Sequence, residues 1–185
     1  MEWHFRLGYA VLSLLLFRII WGLVGGKWSR FSSFLYSPAT VIGYLKGQRQ
    51  PDQAIGHNPL GALSVFGLLG ILLLQVASGL FSDDEIAATG PLVKFVSSTL
   101  AGKATFYHAE IGAVIIFTLI ALHVGAILFY RFKKGENLVR PMIIGDKETP
   151  VAVAGSRDDA WSRLLALALF SGCVALVVAG VQWAG

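Results

Sequence analysis

Cysteine is almost missing from this chain: Cys173 is the only one in 185 residues. That excludes an intrachain disulfide, a CxxC metal knuckle and a CxxCH covalent cofactor attachment. Charge is also scarce. Charged residues are 14% of the chain, against about 25% in an ordinary soluble domain, so a soluble globular fold is not expected. With 55% hydrophobic residues and a mean hydropathy of +0.67, intrinsic disorder is excluded too. There is no internal repeat and no low-complexity segment. Two long stretches, 60–81 and 164–181, carry no charge at all.

What the chain has instead is apolar runs of membrane length. A hydrocarbon core about 30 Å thick needs about 20 residues of apolar helix. Four stretches qualify: 4–25, broken only by Arg6 and Arg18; 60–81; 106–130, with Glu110 near its start; and 164–181. With their flanks, the spans fall at about 4–25, 57–81, 106–131 and 161–183. The expected fold is therefore all-α, an integral membrane four-helix bundle forming one domain over 1–185, with its backbone polar groups satisfied inside the helices. Trp3, Trp21, Trp28, Tyr130, Trp161 and Trp183 mark the span ends, as an interfacial aromatic belt does.

The net charge of +4 fits membrane topology better than nucleic-acid binding, given the apolar runs. Lys27, Arg30, Lys46 and Arg49 face a single acid, Asp52, in the first loop. Arg131, Lys133, Lys134, Arg140, Lys147, Arg157 and Arg163 lie in or beside the third. The second loop carries Asp83, Asp84 and Glu85 with only Lys94 and Lys103. The positive-inside rule then puts the first and third loops in the cytoplasm, and the second loop and both ends of the chain outside. Two segments read either as surface helices or as simple loop packing: one opened by Ser37-Pro38 and running through Val41, Ile42 and Leu45, the other carrying Leu92, Phe95, Val96 and Leu100 on one face.

The four histidines, His4, His57, His108 and His123, all lie in a span or at its mouth. Ionisable groups in membrane helices are costly and usually face the bundle interior. His4 and His108 open two helices that run the same way, so they sit at matching height. His123 follows His108 by 15 residues, roughly 22 Å along the helix and about 60° round it. Both rings can face the interior, one near each surface, as two stacked metal centres require. Glycine follows three of the histidines at the fourth position: Gly8, Gly61 and Gly112. A glycine there leaves room for a flat macrocycle, although small residues also serve plain helix packing. Zinc normally needs three or four converging ligands, whereas haem iron needs two imidazoles from facing helices. Without CxxCH, such a haem is non-covalent and b-type.

The segments Trp3-His4-Phe5-Arg6-Leu7-Gly8-Tyr9, Phe17-Arg18-Ile19-Ile20-Trp21-Gly22, Gly56-His57-Asn58-Pro59-Leu60-Gly61, Ala121-Leu122-His123-Val124 and Asn137-Leu138-Val139-Arg140-Pro141-Met142 resemble the bacterial cytochrome b561 family, which includes the b-type cytochrome subunit of nickel–iron hydrogenases. The resemblance covers most of the chain to about residue 145. It implies a di-haem membrane protein of the bacterial inner membrane, passing electrons between quinone and a redox partner such as a hydrogenase or a cytochrome c. It also implies a first helix with an Arg-x-x-His-Trp pattern, which this sequence lacks, so its first span matches the family's second. On that alignment His4 and His108 match the ligands of the outer haem. His123 matches one ligand of the inner haem, and His57 lies near a quinone or a propionate; a rival pairs His57 with His123. Arg18 would meet a propionate or reach for the interface, and Gly8 and Gly112 would flank the macrocycle. Glu110 is either an interfacial acid or a proton relay from quinol, Asp83-Asp84-Glu85 either a solvated loop or a docking loop for a basic partner such as a soluble cytochrome c, and Cys173 an apolar filler. A second hypothesis, a small transporter or metal permease, predicts a polar path and broken helices; the two uncharged spans do not provide one.

Overall fold

The computed structural model describes residues 1–48, 56–86, 88–145 and 155–185. Arg49, Asp52 and Lys147, counted above for orientation, lie outside the described residues. Among the described residues, six helices longer than a 3₁₀ turn form: α1 (Glu2–Val24), α2 (Pro38–Leu45), α3 (Pro59–Leu80), α4 (Ser98–Lys133), α5 (Val139–Ile144) and α6 (Ala160–Ala184). No strand occurs among the described residues beyond one isolated bridge between Asp83 and Thr89. Helices α1, α3, α4 and α6 are long and apolar enough to cross a membrane. The surface left between them is mostly apolar, with Phe117, Leu122, Phe132, Leu167 and Leu176 more than half exposed. Water would not tolerate so much continuous hydrocarbon on a monomer.

Local chemistry sets the helix ends. Asn58 Oδ1 accepts from the Gly61 N–H at 2.8 Å and Pro59 fills the first helical position, where no N–H is needed. The same device, Ser37 followed by Pro38, opens α2, with the Ser37 hydroxyl accepting from the Thr40 N–H at 3.2 Å. Asp159 caps α6 and accepts from the Ser162 N–H at 2.9 Å. That bond, with Arg157 beside it, holds the Asp159 carboxyl down to about 2.

The second candidate surface helix does not form. Val93–Phe95 make one 3₁₀ turn, and Ser97, in extended conformation, caps a new helix by accepting from the Leu100 N–H at 3.3 Å. Leu100 therefore belongs to α4. That helix is 36 residues long, about 54 Å at 1.5 Å per residue, so its first turns stand outside the hydrocarbon core.

The spanning helices pack in the order α6, α1, α3, α4, with α1 and α3 in the middle. Cross-contacts sort the loops. Phe95 of the second loop stacks on Trp183 near the end of α6, with centroids 5.3 Å apart and planes 7° from parallel. On the opposite side the Trp28 N–H donates to Ser156 Oγ at 3.2 Å, joining the first and third loops. The two basic loops share one side of the bundle; the acidic loop and both ends of the described chain share the other.

A candidate two-histidine centre

His4, in the first turn of α1, and His108, on α4, meet on the acidic-loop side. Their ring centroids are 5.8 Å apart and their planes cross at 86°. His4 also lies edge-on to Phe5, at 6.2 Å. His108 is held more firmly. Its Nδ1 is 2.9 Å from the main-chain carbonyl of Gln75 and 3.4 Å from Ser78 Oγ, both on α3. A carbonyl only accepts, so that bond puts the proton on Nδ1 and leaves Nε2 with its lone pair. Gly79 lies against the same ring: a Cβ there would stand 2.7 Å from His108 Cε1. Gln75, Ser78 and Gly79 were not among the residues singled out by sequence. The available signal was Gln75, an amide side chain inside an uncharged membrane span, where unpaired polar groups are costly.

The donor set and spacing suit a metal held between two imidazoles: metal–nitrogen distances of about 2 Å on each side would leave the ring centroids roughly 6 Å apart, and they stand 5.8 Å apart. Among the described residues no group of three His, Cys, Asp or Glu side chains converges, so the donor set does not resemble that of a zinc site.

The other histidines stand apart from this pair. His123 Nδ1 lies 3.3 Å from Ser64 Oγ across the α3–α4 contact. His57 sits on the basic-loop side, its ring 4.5 Å from that of the buried Phe34. Its carbonyl accepts from Tyr36 Oη at 2.9 Å. Burial, and then the charge of Arg18, holds His57 below its ordinary range. Arg18 belongs to the same aromatic cluster. Its guanidinium lies over Phe31, 4.8 Å from the ring centroid, and Nη1 donates to the Ser29 carbonyl at 3.2 Å.

The two glycines differ. The space beside Gly8 is open, whereas the space beside Gly112 is filled by the Gln75 carboxamide. Arg6 pairs with Glu2 and lies over Trp3. Glu110 is exposed. Asp83 and Asp84 turn inward on their own loop: Asp83 Oδ1 accepts from the Glu85 N–H, and Asp84 Oδ1 from the Ile86 and Ala88 N–H groups. Cys173 is buried in α6.

A groove of about 710 Å³ opens between α2, α3 and α4 on the basic-loop side. Leu60, Leu122 and Ala126 line its apolar part, and Tyr44 and Tyr130 its polar end. The two phenol oxygens are 3.3 Å apart, and Asn58 Nδ2 donates to Tyr130 Oη at 3.2 Å.

Comparison with known proteins adds a family and relatives. The family model described as prokaryotic cytochrome b561 matches residues 1–145. The chain is 26% identical, over 159 residues, to a protein of Escherichia coli (strain K12) named as a probable Ni/Fe-hydrogenase 1 B-type cytochrome subunit; the match covers 77% of this chain and 67% of the relative. It is 22% identical, over 164 residues, to a probable Ni/Fe-hydrogenase B-type cytochrome subunit of Bradyrhizobium diazoefficiens, covering 78% of this chain and 65% of the relative. The chain thus spans about two thirds of the length of these relatives. No solved structure matches.

Proposed function

This chain belongs to the prokaryotic cytochrome b561 family, multi-pass membrane b-type cytochromes, and we propose that it passes electrons between the quinone pool and a redox partner in a bacterial inner membrane, and that His4 and His108 would hold one non-covalent haem b. The observation that carries this reading is the meeting of those two imidazoles, with His108 Nδ1 already committed to the Gln75 carbonyl. Haem bound there supplies reversible one-electron chemistry without breaking substrate bonds.

The protein's own residues hold, orient and tune. The Nδ1–H···O bond fixes the ring of His108 and raises the basicity of Nε2. The open space at Gly8 leaves the second turn of α1 clear for a flat ring; Gly112 contributes through α3–α4 packing instead. His123, steadied by Ser64, is the ligand we assign to a second haem nearer the basic loops. His57 packs against Phe34, which gives the rival pairing of His57 with His123 no support, and in our reading a haem held by His123 would take its second ligand from another residue. The charge of Arg18 acts on His57, and in our reading it offsets propionate or quinone charge on that side.

The groove beside Tyr44 and Tyr130 is the place we assign to quinone. The two phenols share one hydrogen bond, so the pair has one proton left to give; Tyr130 Oη, which accepts from Asn58, is the group we assign to donate to a quinone carbonyl, and the apolar wall suits an isoprenoid tail. For the partner we propose a hydrogenase, since the similar chains carry that name. A cytochrome c docking on Asp83–Glu85 is less favoured, because the carboxylates of Asp83 and Asp84 are engaged within their own turn.

The test is a pyridine haemochrome assay on the protein purified from a haem-replete host, followed by addition of a short-chain quinol. Protohaem that the quinol reduces is expected, and its loss from the outer site in His4→Ala or His108→Ala while helicity persists. A folded, haem-free wild type would overturn the reading.

A further inference from the structure

Resting on His108 as an axial ligand, we infer that Gln75 is a positioning residue that clamps His108 at two points and holds the π-turn presenting its ring. The turn is explicit: α4 is α-helical over Ser98–Phe106, π-helical over Tyr107–Gly112 and α-helical again over Ala113–Lys133. A π-turn places an extra residue in the helix and disturbs the carbonyl ladder at that point, and such turns cluster at functional sites. The His108 carbonyl lies inside it and accepts from Gln75 Nε2 at 2.8 Å. The Gln75 main-chain carbonyl in turn receives His108 Nδ1 at 2.9 Å. One residue of α3 therefore grips both the backbone and the ring of the same histidine.

The neighbouring glycines make this grip possible. A Cβ at Gly112 would stand 1.9 Å from Gln75 Oε1, so only glycine lets the amide reach the α4 backbone. Gly79 makes the matching space for the ring on α3. A general interhelical contact would not explain why the amide selects the carbonyl of the ligand residue itself. Nor would it explain the burial of Gln75 Oε1 with no hydrogen-bond partner, a cost that proteins rarely keep without a reason. If the extra residue migrated along α4, His108 would rotate by about 100° away from His4. A smaller slip would loosen the Nδ1–H···O bond. Imidazole basicity would fall, the oxidised iron would be less well stabilised, and the midpoint potential of this haem would rise.

The experiment uses the full-length, haem-loaded protein, with redox titration and low-temperature EPR of the low-spin haem. Gln75→Met keeps the length and removes the donor; Gln75→Glu restores a donor only when its carboxyl is protonated. Gln75→Met is expected to raise the midpoint potential and shift the EPR signal. Gln75→Glu is expected to approach wild type as pH is lowered. Haem loss in the Met variant that Gln75→Glu repairs at low pH also supports the inference. Wild-type potential and EPR in Gln75→Met, or haem loss in both variants at every pH, overturns it. If Gln75→Met does not fold, Gly112→Ala, which displaces the same amide, should raise the potential, and an unchanged potential there is equally fatal. Failure of the axial-ligand reading shows separately, as a wild type without haem or a His108→Ala variant with unaltered spectra.

Discussion

Replacing Gly79 with alanine would move the His108 ring by a distance that the geometry sets. The added methyl would stand 2.7 Å from Cε1 and 3.0 Å from Nδ1. An ordinary contact begins near 3.4 Å, so the ring must retreat by roughly 0.7 Å from α3. Its Nδ1–H···O bond to Gln75 is now 2.9 Å long. The same retreat, taken wholly along that bond, lengthens it to about 3.6 Å, where it no longer counts as a hydrogen bond. Overpacking of this kind costs about 1–3 kcal/mol, and the lost bond adds about 1 kcal/mol. The effect is local, so helicity and membrane insertion should persist. The assay is haem content by pyridine haemochrome together with redox titration of the purified protein. Gly79→Ala should retain less haem, and what remains should have a higher midpoint potential. Full haem content at the wild-type potential would show that the seat built by α3 does not govern His108.

Two further predictions concern the basic-loop side and the α1 backbone. Gly22→Ala would put a methyl 2.2 Å from Phe31 Cε2, expelling the ring that carries Arg18, and should destabilise the protein by about 1–3 kcal/mol; Gly8→Ala, with open space around it, should not. Thermal unfolding in detergent, followed by circular dichroism, separates the two. His57 lies below its ordinary value of 6.5, by burial first and Arg18 second. The unfolded chain then binds the proton more readily than the folded one, so the stability from neutral His57 is complete above about pH 6.5 and is lost as pH falls through the lower folded value. His57→Gln should flatten that acid-side slope in the same unfolding assay; an unchanged slope would contradict it.

Much of the architecture could be read from residues alone, because span length and cap chemistry are local. Asn58-Pro59 and Ser37-Pro38 mark two helix starts as their side chains dictate. That His4 and His108 stand at one height was legible from two helices running the same way, and the structure brings their rings together; their match as a ligand pair came from the family resemblance. What escaped was decided between helices. In lipid the packed and unpacked faces of a helix are both apolar, so periodicity does not show which face meets which neighbour. The roles of Gln75, Ser78 and Gly79 depend on that facing. The π-turn was hidden too, since Tyr107 to Gly112 read as ordinary helix and only the answering amide on α3 reveals the displaced carbonyl. The second surface helix failed for a local reason: the cap at Ser97 outweighed an apolar stripe that continued across it.

Asn58 joins two helices with one amide, its oxygen starting α3 and its nitrogen reaching Tyr130 at the far end of α4. Asparagines commonly deamidate when the backbone nitrogen of the next residue attacks the side chain and closes a succinimide. Here the next residue is Pro59, which has no N–H to give. The residue that starts the helix thus also closes that route at the junction, so the amide that serves both helices keeps its nitrogen against that reaction.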